Sequence, residues 1–310
     1  MSDNCAAGFE GMACSTAALD IPLPGSATRV GGWLCVEHPG AWGRDVIGDE
    51  VLGPELTAEL AVGTKAARVR PTLIRRPGRS EFAGVRTVLL ASSRPHGSWC
   101  ERLEITDLKQ LLDIDLQLLN GPPPGIGVPV TDPVTLVCAH GKRDQCCARL
   151  GRPIAARLAA EYPELVWECS HTGGHRFAPA MVVLPWGLTY GRLDGGSAVQ
   201  AVASARRNAV SPIGFRGRSC STPIEQVAEI AVRERVPATL DDLTATEFTG
   251  SGVTWDPGAF TAAARVVHRD GRRWIVTARS VDYPPRQASC GADPKPAKAL
   301  VVNNVRVIDE

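Results

Sequence analysis

Apolar and polar positions along residues 33–119 follow an order typical of strand, helix, strand, strand and helix. Short apolar runs predict strands at 33–37, 70–74 and 85–90, and the stretch 55–67 has helical character. Apolar side chains then recur at helical spacing over 105–119, which predicts an amphipathic helix. The segment Gly121-Pro-Pro-Pro-Gly125 ends this pattern and is typical of a linker.

The same order of elements returns after the linker. Strands are predicted at 134–138, 165–169 and 181–184, and helices at 153–161 and 197–207. Pro153 is expected in the first turn of its helix, where its missing N–H costs nothing. This order suits a thioredoxin-like layer of helices on a mixed sheet, so we expect an α/β (α+β) fold.

The remaining chain predicts a helix and a β-rich extension. A helix is expected at 224–235, strands at 253–255, 265–268, 274–278 and 299–307, and a hairpin at 269–272. We therefore divide the chain into an N-terminal thioredoxin-like domain at 1–124, a second thioredoxin-like domain at 125–222, and a C-terminal extension at 223–310.

Composition narrows the classes of function. Hydrophobic residues make up 44% and charged residues 22%, the balance of a soluble globular protein. No apolar run approaches the ~18 residues that span a bilayer, and the N-terminus lacks the pattern of a secretory signal. We expect a cytoplasmic protein with no membrane partner. A net charge of +1 and few aromatic residues argue against nucleic-acid binding.

Three common enzyme patterns are missing from the sequence. No acidic pair of the kind that glycosidases use stands out. The stretch Thr249-Gly-Ser-Gly252 lacks the G-x-S-x-G pattern of a serine hydrolase, and no C-x-x-C motif of a thiol oxidoreductase occurs. The chain also has no glycine-rich loop that would bind a nucleotide.

Ten cysteines are unusual in a chain of this length and expected compartment. Seven are scattered singly and are expected to be small hydrophobic residues: Cys5, Cys14, Cys35, Cys100, Cys169, Cys220 and Cys290. The dense region, between residues 138 and 175, holds the chemistry. There, Cys138 ends a strand and Cys147 follows a polar loop, while His171 and His175 flank Thr172-Gly-Gly174, a tight turn.

Two thiols and two imidazoles are expected to converge at one edge of the second domain. Thiolate and imidazole ligands suit either zinc or an iron–sulfur centre. Zinc fingers usually space their cysteines two to four residues apart. The spacing Cys138-x8-Cys147 gives a longer loop that fits a [2Fe–2S] cluster, with the cysteines on one iron and the histidines on the other. Spacing alone leaves Zn²⁺ as an alternative.

The motif resembles that of the sucrase/ferredoxin-like family. The resemblance is carried by Val137-Cys138 through Cys147-Ala-Arg-Leu-Gly151 and by His171-Thr-Gly-Gly-His175-Arg-Phe-Ala178. Trp33-Leu-Cys-Val-Glu37, Pro39-Gly-Ala-Trp-Gly43 and Arg216-Gly-Arg-Ser219 extend it over most of the chain. The family belongs to the thioredoxin-like ferredoxins. Four cysteines are its usual ligands, and His171-x3-His175 takes the place of the second pair, as in fungal members with a Cys2His2 cluster.

The resemblance implies a ligand set and an activity. It favours Cys147 over the adjacent Cys146, because the family's ligand cysteine has a glycine four residues on, here Gly151. The implied protein binds one [2Fe–2S] cluster and transfers electrons to or from a redox partner protein, such as a reductase. It is expected to be an electron carrier or redox protein rather than a hydrolase. A zinc-binding module and a cluster-based redox or iron sensor are the alternatives.

Imidazole ligands carry less negative charge than thiolates, which predicts a higher reduction potential than that of an all-cysteine ferredoxin. Reduction is also expected to couple to protonation of His171 and His175. His140 is expected to be a loop histidine, and Cys146 a spare thiol. Two interpretations of Lys142, Arg143 and Arg176 stay open, a solvated loop or a positive surface that stabilises the reduced cluster or docks an acidic donor.

The repetition of elements also has two explanations. An ancient duplication would have left a first copy without ligands, because its second turn carries Arg75 and Arg76 in place of the histidines. Otherwise, two ordinary α/β domains share a topology by chance. The basic run around these arginines, from Arg68 to Arg79, is expected to be an exposed strand and turn.

Overall fold

A computed structural model describes residues 11–78, 82, 84–248 and 262–308. In these residues, ten strands form one sheet and four strands form another. The mixed helices and sheets confirm the expected α+β fold. Four sequence features lie outside the described residues: Cys5, Arg79, the segment 249–252 and the strand predicted at 253–255.

The first half of the large sheet is built around a parallel pair of strands. Strand β1 pairs in parallel with β2 and antiparallel with β3, which pairs antiparallel with β4. A short helix, α1 (Cys14–Ala17), precedes them, and β5 (Val128–Pro129) adds an edge. The other bounds are β1 (Gly32–Glu37), α2 (Pro54–Ala67), β2 (Val69–Arg75), β3 (Arg86–Ser92) and β4 (Trp99–Ile105).

The second half repeats this arrangement. Strand β6 pairs in parallel with β7 and antiparallel with β8, which pairs antiparallel with β9. The elements are β6 (Val134–Cys138), α3 (Gln145–Ala159), β7 (Val166–Cys169), β8 (Ala180–Leu184), β9 (Leu188–Gly191), α4 (Gly195–Arg206) and β10 (Phe215–Arg218). The two halves therefore share strand order and direction; their origin by duplication stays a prediction.

The halves meet where β2 lies antiparallel to β7. Ile74 is opposite Cys169 and Arg75 is opposite Glu168 in this pairing, and the Arg75 and Glu168 side chains form an ion pair at 2.8 Å. Arg76 stacks over the Trp167 ring and donates to the carbonyl oxygens of three residues before and in β7. Arg75 and Arg76, in the turn of the first half, therefore join the two halves. The expectation of an exposed strand and turn did not include these contacts. The strand order is β10-β9-β8-β6-β7-β2-β1-β3-β4-β5.

Helices cover one face of this sheet in both halves. In β1, Leu34 and Val36 face helix α2, and in the second half Val137 faces helix α3. The alternate side chains, including Cys35 and Cys138, pack in a common apolar cluster on the other face, as the two-residue period of a strand requires. Both halves therefore contribute to one continuous core beneath the end of β6.

The amphipathic helix predicted at 105–119 is wrong. Ile105 ends β4, and two short 3-10 helices follow, Leu108–Asp113 and Leu116–Asn120. Each begins after an aspartate, Asp107 or Asp115, whose side chain accepts a hydrogen bond from a backbone N–H two residues on. These local caps compete with a continuous helix, which explains why helical spacing of apolar residues was misleading.

Helix α3 begins at Gln145, eight residues before the predicted start, and Pro153 lies inside it rather than in its first turn. Its N-cap is Asp144, whose carboxylate accepts a hydrogen bond of 2.8 Å from the Cys146 N–H. This cap was not recognised in the sequence. It places both Cys146 and Cys147 in the first turn of the helix.

The C-terminal part forms a second, antiparallel sheet that packs against helix α5 (Pro223–Arg233). Its strands are β11 (Leu243–Glu247), β12 (Ala262–His268), β13 (Arg273–Gln287) and β14 (Pro294–Val307). The strands β13 and β14 are longer than expected, and the tip between them, residues 288–293, reaches the loop before α3. Within the described chain, no helix has both the length and the apolarity needed to cross a bilayer.

Candidate metal centre

Cys138 and Cys147 meet where β6 ends and α3 begins. Both side chains are buried, and the strand-to-helix loop folds back so that the first turn of α3 lies beside the last residue of β6. Ligand atoms of Cys138, Cys147 and His171 all lie within 4.8 Å of one another. The structure thus brings three of the four expected ligands into one group.

His175 lies beside His171 at the same edge of the sheet. The two ring centroids are 4.8 Å apart, across a turn in which Gly173 and Gly174 have φ of +98° and +75°. These left-handed conformations favour glycine and reverse the chain within two residues. His175 does not come within 4.8 Å of all three other ligand atoms. The group is therefore extended, with His175 outside the set that the other three ligands form.

Both histidines present a buried nitrogen to this site. The Nδ1 atoms of His171 and His175 are buried and have no hydrogen-bond partner among the described residues. The His175 ring hydrogen-bonds the Ala288 backbone. A metal-ligating histidine commonly donates its second N–H to a backbone carbonyl.

His140 has a supporting position. Its Nδ1 accepts a hydrogen bond of 3.1 Å from the His171 N–H, and its Nε2 lies 2.8 Å from the Gly43 carbonyl oxygen. This network assigns the proton to Nε2, and both ring nitrogens are occupied. The backbone of His140 also hydrogen-bonds the Cys138 sulfur. His140 therefore orients the turn that carries His171 and is not free to be a ligand itself.

The pKa values of the Cys138 and Cys147 thiols are shifted in opposite directions. A hydrogen bond from the Cys147 thiol lowers the pKa of Cys138 well below its usual value, and this outweighs burial; His171 acts in the same direction. The same hydrogen bond, together with burial, raises the pKa of Cys147. Burial and the nearby His171 lower the pKa of His175, which favours the neutral imidazole that a metal requires.

Two arginines hold the turn between the histidines, and sequence reasoning assigned neither to the site. Arg70 Nη1 donates to the Thr172 carbonyl oxygen at 3.3 Å, and Arg216 Nη1 donates to the Gly173 carbonyl oxygen at 3.4 Å. Arg216 is fully buried, and burial lowers its pKa to about 9, so it stays charged at neutral pH. The positive charge of Arg216 interacts electrostatically with the Cys138 sulfur. This interaction favours a negative charge at the centre.

A cavity of about 220 Å³ opens beside His171. Three basic side chains line it, those of Arg44, Arg70 and Arg143, together with Asp45 and His140. His171 is half-buried and lines this cavity, whereas Cys138 and Cys147 are buried and do not line it. The cavity is therefore adjacent to the His171 side of the centre.

The Cys146 sulfur lies beside two other cysteines. It lies 3.7 Å from the Cys14 sulfur and 3.3 Å from the Cys290 sulfur. Cys14 and Cys290 were expected to be isolated, and this expectation was wrong because they come from segments at opposite ends of the sequence. Cys35, Cys100 and Cys169 are buried core residues, as expected.

Fold and site together define an α+β protein in which cysteine and histidine side chains are grouped so that they could hold a metal. The family model described as sucrase/ferredoxin-like matches residues 23–217, more than half of the chain. The chain belongs to the sucrase/ferredoxin-like family. The matched segment contains all four expected ligands. Searches among curated proteins and among solved structures found no match.

Proposed function

We propose that Cys138, Cys147, His171 and His175 bind one [2Fe–2S] cluster and that the protein transfers single electrons. The observation that carries this proposal is the convergence of two buried sulfurs and two buried, unpartnered Nδ1 atoms at one edge of the sheet. Unpaired buried polar atoms cost free energy, and ligation would satisfy them. Two thiolates and two imidazoles are ligands known for such clusters.

The shape of the group favours a cluster over a single zinc ion. A tetrahedral zinc ion would draw four ligand atoms to within roughly 3.3–3.8 Å of one another, given metal–ligand distances of about 2.0–2.3 Å. Here His175 lies outside the 4.8 Å group formed by the other three ligands. Ligands divided between two irons need not all be neighbours. The extended arrangement of these ligands therefore fits a [2Fe–2S] cluster better than a single zinc ion.

The residues around the ligands fit a centre that gains and loses negative charge. A bound [2Fe–2S] cluster would supply a one-electron acceptor and donor. Arg70 and Arg216 place positive charge on either side of the turn between the histidines and would favour the added electron. His140 holds the main chain of His171 and so keeps this half-buried ligand in place. Coupling of reduction to protonation of the histidines stays a prediction.

We propose that a redox partner protein, such as a reductase, docks at the cavity beside His171. Arg44 and Arg143 on the rim of this cavity would attract an acidic surface, which accelerates encounter. An electron would then enter or leave through the half-buried His171 side of the centre. A sensor protein that responds to loss of the cluster would use the same ligands. No residue described in the site favours that alternative.

The test is the visible absorption and reduced-state EPR spectrum of protein purified without oxygen, with analysis of iron, sulfide and zinc. We expect about two irons and two sulfides per chain and a Rieske-like EPR signal. His171→Ala should abolish that signal, while His96→Ala, which alters an exposed histidine bonded to Thr244, should keep it. A colourless protein with zinc at these ligands would overturn the proposal and leave a zinc-binding module.

A further inference from the structure

A second group of potential ligands lies next to the candidate metal centre. It comprises Cys14 at the start of α1, Asp144 and Cys146 at the start of α3, and Cys290 at the tip of the β13–β14 hairpin. One ligand atom from each lies within 4.8 Å of the others. Three are buried and Cys290 is half-buried, so three distant parts of the chain meet at one enclosed point.

The distances agree with those of a tetrahedral zinc site. Zinc–sulfur bonds of about 2.3 Å and zinc–oxygen bonds of about 2.0 Å place neighbouring sulfurs roughly 3.8 Å apart and a sulfur and an oxygen roughly 3.5 Å apart. Here the Cys14 and Cys146 sulfurs are 3.7 Å apart, and the Cys14 sulfur is 3.5 Å from Asp144 Oδ2. The Cys146 and Cys290 sulfurs are slightly closer, at 3.3 Å.

Neighbouring groups hold the possible ligands in position. Asp144 accepts hydrogen bonds from the Cys146 N–H, the Cys290 N–H and the Ser289 hydroxyl, at 2.8, 2.8 and 2.9 Å. The Ser15 hydroxyl donates to the Cys146 sulfur at 3.3 Å. Such outer contacts orient ligands and are typical of metal sites.

We propose that Cys14, Asp144, Cys146 and Cys290 bind one structural Zn²⁺ ion, separate from the cluster site. Binding would release three thiol protons to solvent and leave three thiolates and one carboxylate on the ion, with no change in oxidation state. The set of four protein ligands closes the coordination sphere, as in structural rather than catalytic zinc sites. The soft thiolates select zinc over magnesium or calcium.

The site would join three segments that lie far from one another in the sequence. The N-terminal segment, the first turn of α3 and the C-terminal hairpin tip would be fixed to one another by the ion. Cys146 directly precedes Cys147, so this junction would also hold the helix start that carries a cluster ligand. Residues from both ends of the chain thereby support the candidate metal centre.

The test is metal analysis of full-length protein made in zinc-supplemented medium and purified without oxygen. We compare the wild type with Cys14→Ser, Cys290→Ser and, as a matched control, Cys220→Ser, which alters a cysteine outside both groups. We expect about one zinc per chain in the wild type and the control, and its loss in the two variants. Zinc held at the cluster ligands would instead survive Cys290→Ser and disappear in His171→Ala.

A second measurement needs no variant. Alkylation of the native wild type before and after treatment with a zinc chelator, read by mass spectrometry, should show Cys14 and Cys290 protected before treatment and reactive afterwards. Cys220 should react equally in both samples. Wild-type protein without zinc, zinc retained in both serine variants, or a disulfide among the three cysteines would each overturn the proposal.

Discussion

Gly151 of helix α3 lies directly against the main chain of Cys138. A Cβ atom at position 151 would stand 2.1 Å from the Cys138 carbonyl oxygen, closer than any real contact allows. The missing side chain therefore lets the helix approach the end of β6. This approach brings Cys147, one turn earlier on the same helix, beside Cys138.

We expect Gly151→Ala to weaken the metal centre, because the helix must move away from β6 to make room for a methyl group. The iron content and the visible absorption of the purified protein should both fall severalfold. Gly63→Ala is the matched control, since Gly63 lies in α2 of the first half and its Cβ would meet only an ordinary contact at 3.6 Å. That change should raise stability by about 0.5–1 kcal/mol through helix propensity and leave iron unchanged. A Gly151→Ala protein with full iron would contradict this role.

Arg70 should raise the reduction potential of the centre. Its guanidinium holds the Thr172 carbonyl and carries positive charge towards Cys138 and Cys169. We expect Arg70→Gln to make the midpoint potential more negative by about 30–60 mV, where about 59 mV corresponds to a tenfold change in a one-electron equilibrium. Redox titration followed by visible absorption measures this shift. Arg102→Gln removes an exposed arginine of β4 and should leave the potential unchanged; an equal shift in both variants would refute a local effect.

Glu229 is a buried carboxylate between two arginines. Its Oε1 atom lies 3.1 Å from Arg218 Nε and 2.9 Å from Arg233 Nε. Burial alone would raise its pKa, but the two guanidinium charges outweigh burial and lower it. Because the folded pKa is lowered, the stabilising contribution is complete above the usual carboxyl pKa of about 4.3 and is lost as the pH falls through the folded value.

We therefore expect Glu229→Gln to lower the free energy of unfolding at pH 7 by about 3–5 kcal/mol, because it leaves buried charges without their partner. The difference from wild type should begin to narrow as the pH falls below about 4.3, because the Glu229 carboxyl is then protonated first in the unfolded wild-type chain and only at lower pH in the folded protein. Urea unfolding at several pH values measures this. The exposed Glu234, at the end of the same helix, supplies the control Glu234→Gln, which should cost little at any pH. A pH-independent difference would argue against this account.

The junction between the two halves should depend on Arg76. Its guanidinium lies 3.8 Å from the centroid of the Trp167 ring and caps carbonyl oxygens of the loop before β7. We expect Arg76→Ala to lower the free energy of unfolding by about 2 kcal/mol, in the range for hydrogen bonds to charged groups. Arg102→Ala, on the exposed face of β4, should change it by less than about 1 kcal/mol. Equal losses in denaturant unfolding would show that Arg76 does not hold the junction.

The fold was largely predictable because its strands are short, buried and separated by clear turns. Strand β6 was predicted at its observed bounds, since an apolar run ends there in a polar loop. The prediction of a helix at 105–119 failed because the side chains of Asp107 and Asp115 start two separate turns. Periodicity reports which face is apolar, whereas such caps decide whether a helix continues.

The two ligand pairs of the site were predictable because the residues of each pair are close in sequence. Cys138 and Cys147 are close in sequence, as are His171 and His175, so local spacing showed two ligand pairs. Contacts between distant segments gave no such signal. Cys14 and Cys290 are 276 positions apart, and Arg216 reaches the turn at Gly173 from 43 positions away. Nothing near these residues in the sequence marks them as neighbours of the centre.

The tip of the β13–β14 hairpin also has a consequence for biosynthesis. Ala288 and Cys290 contact His175 and Asp144, yet they are translated more than a hundred residues later. Domains fold from the N-terminal side as the chain leaves the ribosome. The ligands of the candidate centre can therefore assemble before the hairpin tip has been translated, and the tip closes over them afterwards. Delivery of a cofactor thus has a defined interval, which ends when the hairpin tip folds.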